Sequence, residues 1–250
     1  MFQGFYNITA GVLTQNRNLN TISNNMANTA TPGYKRDKMI IRTFQDELVS
    51  RIGNKVRSDR QAIGNSSSIV TAHHVVTDYS HGGFEESNNN MAFAIRDKGY
   101  FAIQTKEGVG YTRSGDFTID EEGYLCLGTA GRVLGDKGTI YLGTDKIKAD
   151  NYGTIYTENG KYLGKIKVVD FGEKEKDLVK SSKDLFLSKD NPTTIENAEI
   201  LWKKIETSNV NPIDEMVAMM SSQRNLQSDI QMMKIYDQLM AKIVSQLGPT

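Results

Sequence analysis

The sequence predicts an α+β protein in which an N-terminal and a C-terminal helix pair as a coiled-coil-like stem around a central, mainly antiparallel all-β domain. Three observations predict it. Glycine is confined to the middle, with 16 of the 22 between Gly82 and Gly172 and none from Glu173 to Leu247. Tyrosine follows glycine, with eight of eleven between Tyr79 and Tyr162. Apolar residues recur at alternating steps of three and four only at the two ends of the chain, which is the period of a helix face and not of a strand.

The middle segment divides into short runs: AFAIR, YFAIQT, FTID, YLCL, TIYL and KIKVVDF. Their β-branched and aromatic residues recur with period two, and Lys106-Glu107-Gly108, Glu121-Glu122-Gly123 and Gly128-Thr129-Ala130-Gly131 supply turn residues between them. Strands so closely spaced leave no room for crossover helices, so the sheet should be antiparallel, a small barrel or sandwich.

At the N-terminus the positions Phe5, Ile8, Val12, Gln15, Leu19, Ile22 and Met26 form a heptad seam with one polar break. At the C-terminus Met216, Met219, Gln223, Leu226, Ile230, Met233, Asp237, Met240, Val244 and Leu247 repeat the spacing. Asn211 before Pro212, with Asp214 and Glu215 in the first turn, marks the start of the second helix, and Gly248-Pro249 should stop it. The span is about 36 residues, or roughly 54 Å. Thr31-Pro32-Gly33 should end the first helix region, because proline disfavours α geometry at the preceding residue. The expected organisation is residues 1–34 as stem helix and Pro-Gly turn, 35–80 as extended connector, 81–172 as β domain, 173–207 as connector and peripheral strands, and 208–250 as the second stem helix.

The second helix is apolar beyond its seam, since Ile213, Val217, Met220, Ile235, Tyr236, Leu239 and Ile243 add to adjacent faces. A stripe of roughly 100° suffices for a helix on one core, and a wider one is normally surrounded. Burying eight seam side chains contributes about 12–24 kcal/mol, against roughly 36–72 kcal/mol of backbone entropy for ordering the helix. Seven asparagines among the first 28 residues weaken the first helix further. Both ends are therefore expected to be frayed in a dilute monomer and to order when subunits pack laterally through different faces, a heterologous contact that yields an open polymer. Six of the ten methionines lie in the second helix, and methionine adapts to irregular neighbours. Gln15, Gln223 and Asp237 could fix register, Asn24, Asn25 and Asn28 could cap or bridge backbone or delay helix formation, and Asn209 and Asn211 flank the second helix as caps or intersubunit bonds.

Site chemistry is sparse. Thirty basic residues balance thirty acidic ones, so no summed field favours nucleic acid or an anionic bilayer. No stretch reaches roughly 18 consecutive apolar residues, and the first twenty lack the basic flank and apolar run of a cleaved export signal. Cys126 in YLCL reads as a small buried hydrophobe. His73, His74 and His81 do not form a metal set, the glycine pairs read as hairpin turns, Glu121 and Glu122 as an exposed turn, and Trp202 as a packing anchor. No catalytic residue, metal or cofactor is expected.

Three blocks then become recognisable. ISNNMANTATPGYK (Ile22 to Lys35, with Asn24, Asn25, Asn28, Pro32 and Gly33) resembles the N-terminal signature of the flagellar basal-body rod and hook family. YSHGGFEESNNNMAFAIRDKGYFAI with YTRSGDFTID resembles its central region. ETSNVNPIDEMVAMMSSQRNLQSDIQMMKIYDQLMAKIVSQL, with Asn209, Asn211, Gln223 and Arg224, is similar to its C-terminal segment. The resemblance implies a non-enzymatic rod subunit, closest to the middle-sized distal or proximal rod proteins. It also implies a helical homopolymer built through the terminal helices, torque transmission to hook and filament, and other rod and hook subunits as partners. Export by the flagellar type III apparatus without a cleaved signal is implied too, with location in the basal body. A hook-type axial protein is the nearest alternative, and a β-domain adaptor or hydrolase with an ordinary coiled-coil stem the alternative from another class.

Overall fold

The computed structural model describes residues 2–43, 47–52, 60–66, 70–106, 108–172, 175, 178–181, 185–188 and 190–247. It is α+β, with a helix at each end and an antiparallel β region between them. The chain divides into two compact units, residues 1–26, 37–76 and 212–250 in one, and 27–36 with 77–211 in the other.

The first unit holds helix α1 (Phe2–Ala27), helix α2 (Pro212–Leu247) and four strands. Proline opens α2 at its first helical position, with Asp214 and Glu215 in the first turn where the helix dipole favours acids. Gly248 and Pro249, expected to stop it, lie outside the described residues. Residues 35–80, read from sequence as an extended connector, carry strand structure. Asp37–Thr43 pairs with Val70–Thr77, and Glu47–Ile52 forms an antiparallel ladder with Arg60–Ser66.

The second unit is the β domain. Its main sheet has at its centre the strand Tyr100–Thr105, which pairs antiparallel with Gly108–Thr112, Gly131–Gly135 and Val168–Asp170. Period-two alternation sends Phe101 and Ile103 into one core and Tyr100 and Ala102 into another, so this strand is covered on both faces. The larger core gathers Phe93, Phe117, Leu125, Val133, Ile155 and Ile200 around Phe101, whose ring meets Phe117 edge-on at 5.1 Å. The smaller one stacks Tyr100, Tyr111, Phe171 and Phe186. Cys126 is buried, and Trp202 packs against the larger core while its indole N–H donates to the Asn90 carbonyl at 2.7 Å. The turns fall where the sequence places them: Asp120 accepts from the Glu122 and Tyr124 amides around Gly123, and the Ala130 amide donates to Leu127 across Gly128. Glu107 of the Lys-Glu-Gly turn lies outside the described residues.

Phe101 is fully buried, so Phe101→Ala should destabilise the β domain by about 3–5 kcal/mol. A drop in the denaturant midpoint with little change in slope is the expected readout.

Candidate functional site: the terminal helices and a buried ionic joint

The two helices of the first unit run antiparallel, and their contact is polar and small. Gly4, Gly11, Asn18 and Asn25 recur one heptad apart on α1, opposite Tyr236, Asp229, Ser222 and Glu215, which recur one heptad apart on α2 in reverse order. A methyl group on Gly4 would come 2.7 Å from the Tyr236 hydroxyl, and one on Gly11 would come 3.3 Å from an Asp229 carboxylate oxygen. The Ser222 hydroxyl donates to Gln15 Oε1 at 2.9 Å, and Asn18 donates to Ser222 at 3.4 Å. Asn25 donates to Glu215 at 3.4 Å, donates to the Asp37 carbonyl at 2.8 Å and accepts from the Asp37 amide at 3.0 Å. Its amide group thus completes the backbone pairing at the first residue of a strand while reaching α2, a bridging role. Glycine in a helix interior costs about 1 kcal/mol each relative to alanine, so Gly4 and Gly11 exchange local helix stability for close approach.

This ladder corrects the expected seam at every second position. Ile8, Gln15 and Ile22 keep their place on the α1 contact side, with Ile22 buried, but the remaining steps fall at Gly4, Gly11, Asn18 and Asn25 beside Phe5, Val12, Leu19 and Met26, which are half-buried. On α2, Met219, Leu226, Met233 and Met240 are half-buried, whereas Glu215, Ser222, Asp229 and Tyr236 make the cross-helix contacts in place of Met216, Gln223, Ile230 and Asp237. Met216, Gln223, Ile230, Asp237 and Val244 are exposed, and Leu247 is the last residue of the helix. Hydropathy could not distinguish these positions, because a glycine or serine chosen for closeness carries no apolar signal.

Several apolar side chains of α2 outside its contacts with α1 are exposed among the described residues. Ile213 is 70% exposed, Val217 57%, Ile235 52% and Leu239 53%. Single exposed apolar side chains are ordinary, but here they come as i,i+4 pairs, Ile213 with Val217 and Ile235 with Leu239, on either side of the polar Ser221, Arg224 and Ser228, and grouped exposed apolar side chains mark interaction surfaces.

In the second unit the three recognised sequence blocks converge on one buried joint. Lys35 of TPGYK donates to Glu206 Oε1 at 2.7 Å and to the Ser80 carbonyl at 2.8 Å, with both side chains of the pair fully buried. Arg113 of YTRSGDF lies 3.6 Å from Glu206 Oε2, donates to the Asp97 carbonyl, and stacks on the Tyr100 ring at 4.9 Å. His81 of YSHGG places Nδ1 3.4 Å from Glu206 and 3.3 Å from the Arg113 guanidinium. Burial pushes the Lys35 amine down, with Glu206 opposing. Burial and then the charge of Arg113 push His81 below its ordinary value, again against Glu206.

Backbone geometry locks the same place. Gly33 has φ of +71°, its amide donates to the Glu206 carbonyl at 2.7 Å, and a Cβ there would sit 2.3 Å from the Ser114 nitrogen, so no other residue fits. Asn209 accepts from the Arg36 amide at 2.7 Å and donates to the Asp78 and Ser80 carbonyls, which makes it a bridge within this unit. Asn28 accepts from the Thr31 hydroxyl and amide and closes the turn that contains Pro32. Asn211 stands at the N-cap position of α2, Asn24 is exposed on α1, and Gln223 and Arg224 are exposed on α2. Lys35, His81, Arg113 and Glu206 were not singled out as a group by sequence reasoning. Their signal was membership of the quoted motifs.

Among the described residues no set of three His, Cys, Asp or Glu could hold a metal ion, and no helix is long and apolar enough to cross a membrane.

Comparison with known proteins gives the class. A family model described as "Flagellar basal body rod FlgEFG protein C-terminal" matches residues 203–247, and one described as "Flagellar hook protein FlgE/F/G D1 domain" matches residues 94–157. The flagellar basal-body rod protein FlgG of Bacillus subtilis is 27% identical, covering 98% of this chain and 99% of its own length. The flagellar basal-body rod protein FlgF of Caulobacter vibrioides is 28% identical, covering 94% of each. The flagellar hook-basal body complex protein FlhO of B. subtilis is 24% identical over 99% of each. The two family models and these relatives together support a flagellar rod and hook type of protein, similar above all to rod proteins.

Breaking the buried pair with Glu206→Gln leaves Lys35 and Arg113 without their carboxylate and should cost about 3–5 kcal/mol by denaturant titration. Because the folded pKa of His81 lies below its unfolded value of 6.5, the unfolded chain takes up the proton first as pH falls, so this contribution to stability is lost with acidification below about 6.5. The melting temperature should drop between neutral pH and about pH 5, and His81→Asn should flatten that drop.

Proposed function

We propose that this protein is a structural subunit of the bacterial flagellar basal-body rod, polymerising helically with copies of itself through its terminal helices and passing torque toward hook and filament. The observation that carries the reading is the division of α2 into two faces. One meets α1 through Glu215, Ser222, Asp229 and Tyr236, and the other exposes Ile213, Val217, Met220, Ile235 and Leu239. Glycine, serine and carboxylate layers fix register but bury little apolar surface, so most of the hydrophobic gain open to this helix awaits neighbouring subunits. The proteins to which the chain is similar are named as rod and hook proteins, which supports the same location and the same partners, other rod and hook subunits.

In this reading residues 1–34 and 208–250 form a coiled-coil-like stem, and Phe5, Val12, Leu19, Met26, Met216, Ile230 and Val244 join the uncovered face in subunit contacts. Gln223 and Arg224 lie on the same exposed surface. Residues 81–172 are the outer β domain, held by the joint at Lys35 and Glu206. Residues 35–80 and 173–207 connect these parts. Export runs through the flagellar type III apparatus without cleavage, and the function needs no catalysis or cofactor. A face that packs against several different neighbours makes heterologous contacts, and those propagate as an open polymer when the rotation does not close.

Ile235→Asp with Leu239→Asp places two charges on the exposed face without touching the α1 contact. The variant should keep the melting temperature of the β domain, lose self-association in sedimentation, and fail to restore motility to a strain lacking the protein. Unimpaired motility with both aspartates present would refute the assignment of that face.

A further inference from the structure

The methionines of α2 fall into two groups by exposure. Met219, Met233 and Met240 are half-buried on the α1 side of the helix. Met216, Met220 and Met232 are 54%, 48% and 56% exposed, and Met220 lines a notch of about 230 Å³ with Val217, Ser221, Arg224 and Asn225. Cys126, the only thiol, is buried. The accessible oxidisable sulfur of this helix therefore lies at the uncovered surface.

We infer that Met216, Met220 and Met232 are oxidation sites whose conversion to sulfoxide blocks self-association, so that the assembly competence of the free subunit is redox-sensitive. The proposal rests on the reading of α2 as an assembly face. The oxidant is a peroxide. The thioether sulfur attacks the outer oxygen, an S–O bond forms as the O–O bond breaks, sulfur is oxidised by two electrons, and hydrogen peroxide leaves as water. The product replaces a flexible apolar side chain by a polar, chiral one that disrupts methionine-rich interfaces and is reversible by sulfoxide reductases. Beside exposed apolar neighbours, Ile213 and Val217 for Met216 and Met220, and Ile235 for Met232, a sulfoxide without a hydrogen-bond partner opposes burial. Packing against neighbours would shield the same sulfurs, so the free subunit is the vulnerable form.

The test treats the full-length protein with dilute hydrogen peroxide, maps sulfoxide by peptide mass spectrometry, and follows self-association by sedimentation. Met216, Met220 and Met232 should oxidise several-fold faster than Met219, Met233 and Met240. The concentration needed for assembly should rise by about tenfold or more, and reductase treatment should restore it. A triple variant, Met216→Leu with Met220→Leu and Met232→Leu, keeps shape and apolarity closely enough to fold, and it should assemble with or without peroxide. Equal oxidation rates across the two groups overturn the proposal. So does oxidised protein that assembles at the original concentration, or a triple variant that peroxide blocks as fully as the parent. Untreated protein that never self-associates refutes the assembly reading as well, and it is recognised as such because the oxidation order is measured independently.

Discussion

The terminal helix α2 has to satisfy two different surfaces with one sequence, and the behaviour of the molecule follows from the unequal way it does so. Toward α1 it presents small and polar residues in heptad register: Glu215 to Asn25, Ser222 to Gln15 and Asn18, Asp229 to Gly11 and Tyr236 to Gly4. Such layers are specific, because a shift of register would strand a carboxylate or place a side chain where only glycine fits. They are also weak, because a hydrogen bond nets only about 0.5–1.5 kcal/mol against water. Away from α1 the helix keeps its aliphatic residues exposed.

The β domain solves a separate problem. Segments far apart in the sequence, around Lys35, Arg113 and Glu206, meet inside it. Lys35 and Glu206 form a fully buried pair, Arg113 adds a second cation, and Gly33 and Asn209 close the backbone around them. A buried pair of this kind is poor evidence of net stability but strongly penalises any arrangement that separates its members. It explains why three motifs far apart in the sequence carry charged residues that are not solvated.

Much of this was legible before any coordinates. Pro212 after Asn211 located the start of α2, and the short Tyr- and Gly-rich runs located strands such as Tyr100–Thr105. On the terminal helices hydropathy picked out Ile22, Met219, Leu226, Met233 and Met240, which are buried or half-buried, whereas the cross-helix contacts of the structure fall at Gly4, Gly11, Asn18 and Asn25. Periodicity counts apolar residues without knowing which neighbour covers them, and on α2 it merged the contact side with the exposed side. The strands Asp37–Thr43 and Val70–Thr77 were passed over because their apolar residues, Met39, Ile40 and Ile41 and Val75 and Val76, stand in adjacent positions and show no period-two alternation. The joint was hidden for another reason. A lysine, a histidine, an arginine and a glutamate from 35 to 206 look like solvated surface until folding brings them together.

Direct density of isolated basal bodies, at a resolution that traces side chains, tests the central claim most directly. On this account the surface of α2 bearing Ile213, Val217, Met220, Ile235 and Leu239 is buried against neighbouring subunits, while the Glu215 to Tyr236 ladder stays within its own chain. Density showing that surface facing solvent, with subunits joined only through their β domains, would contradict it.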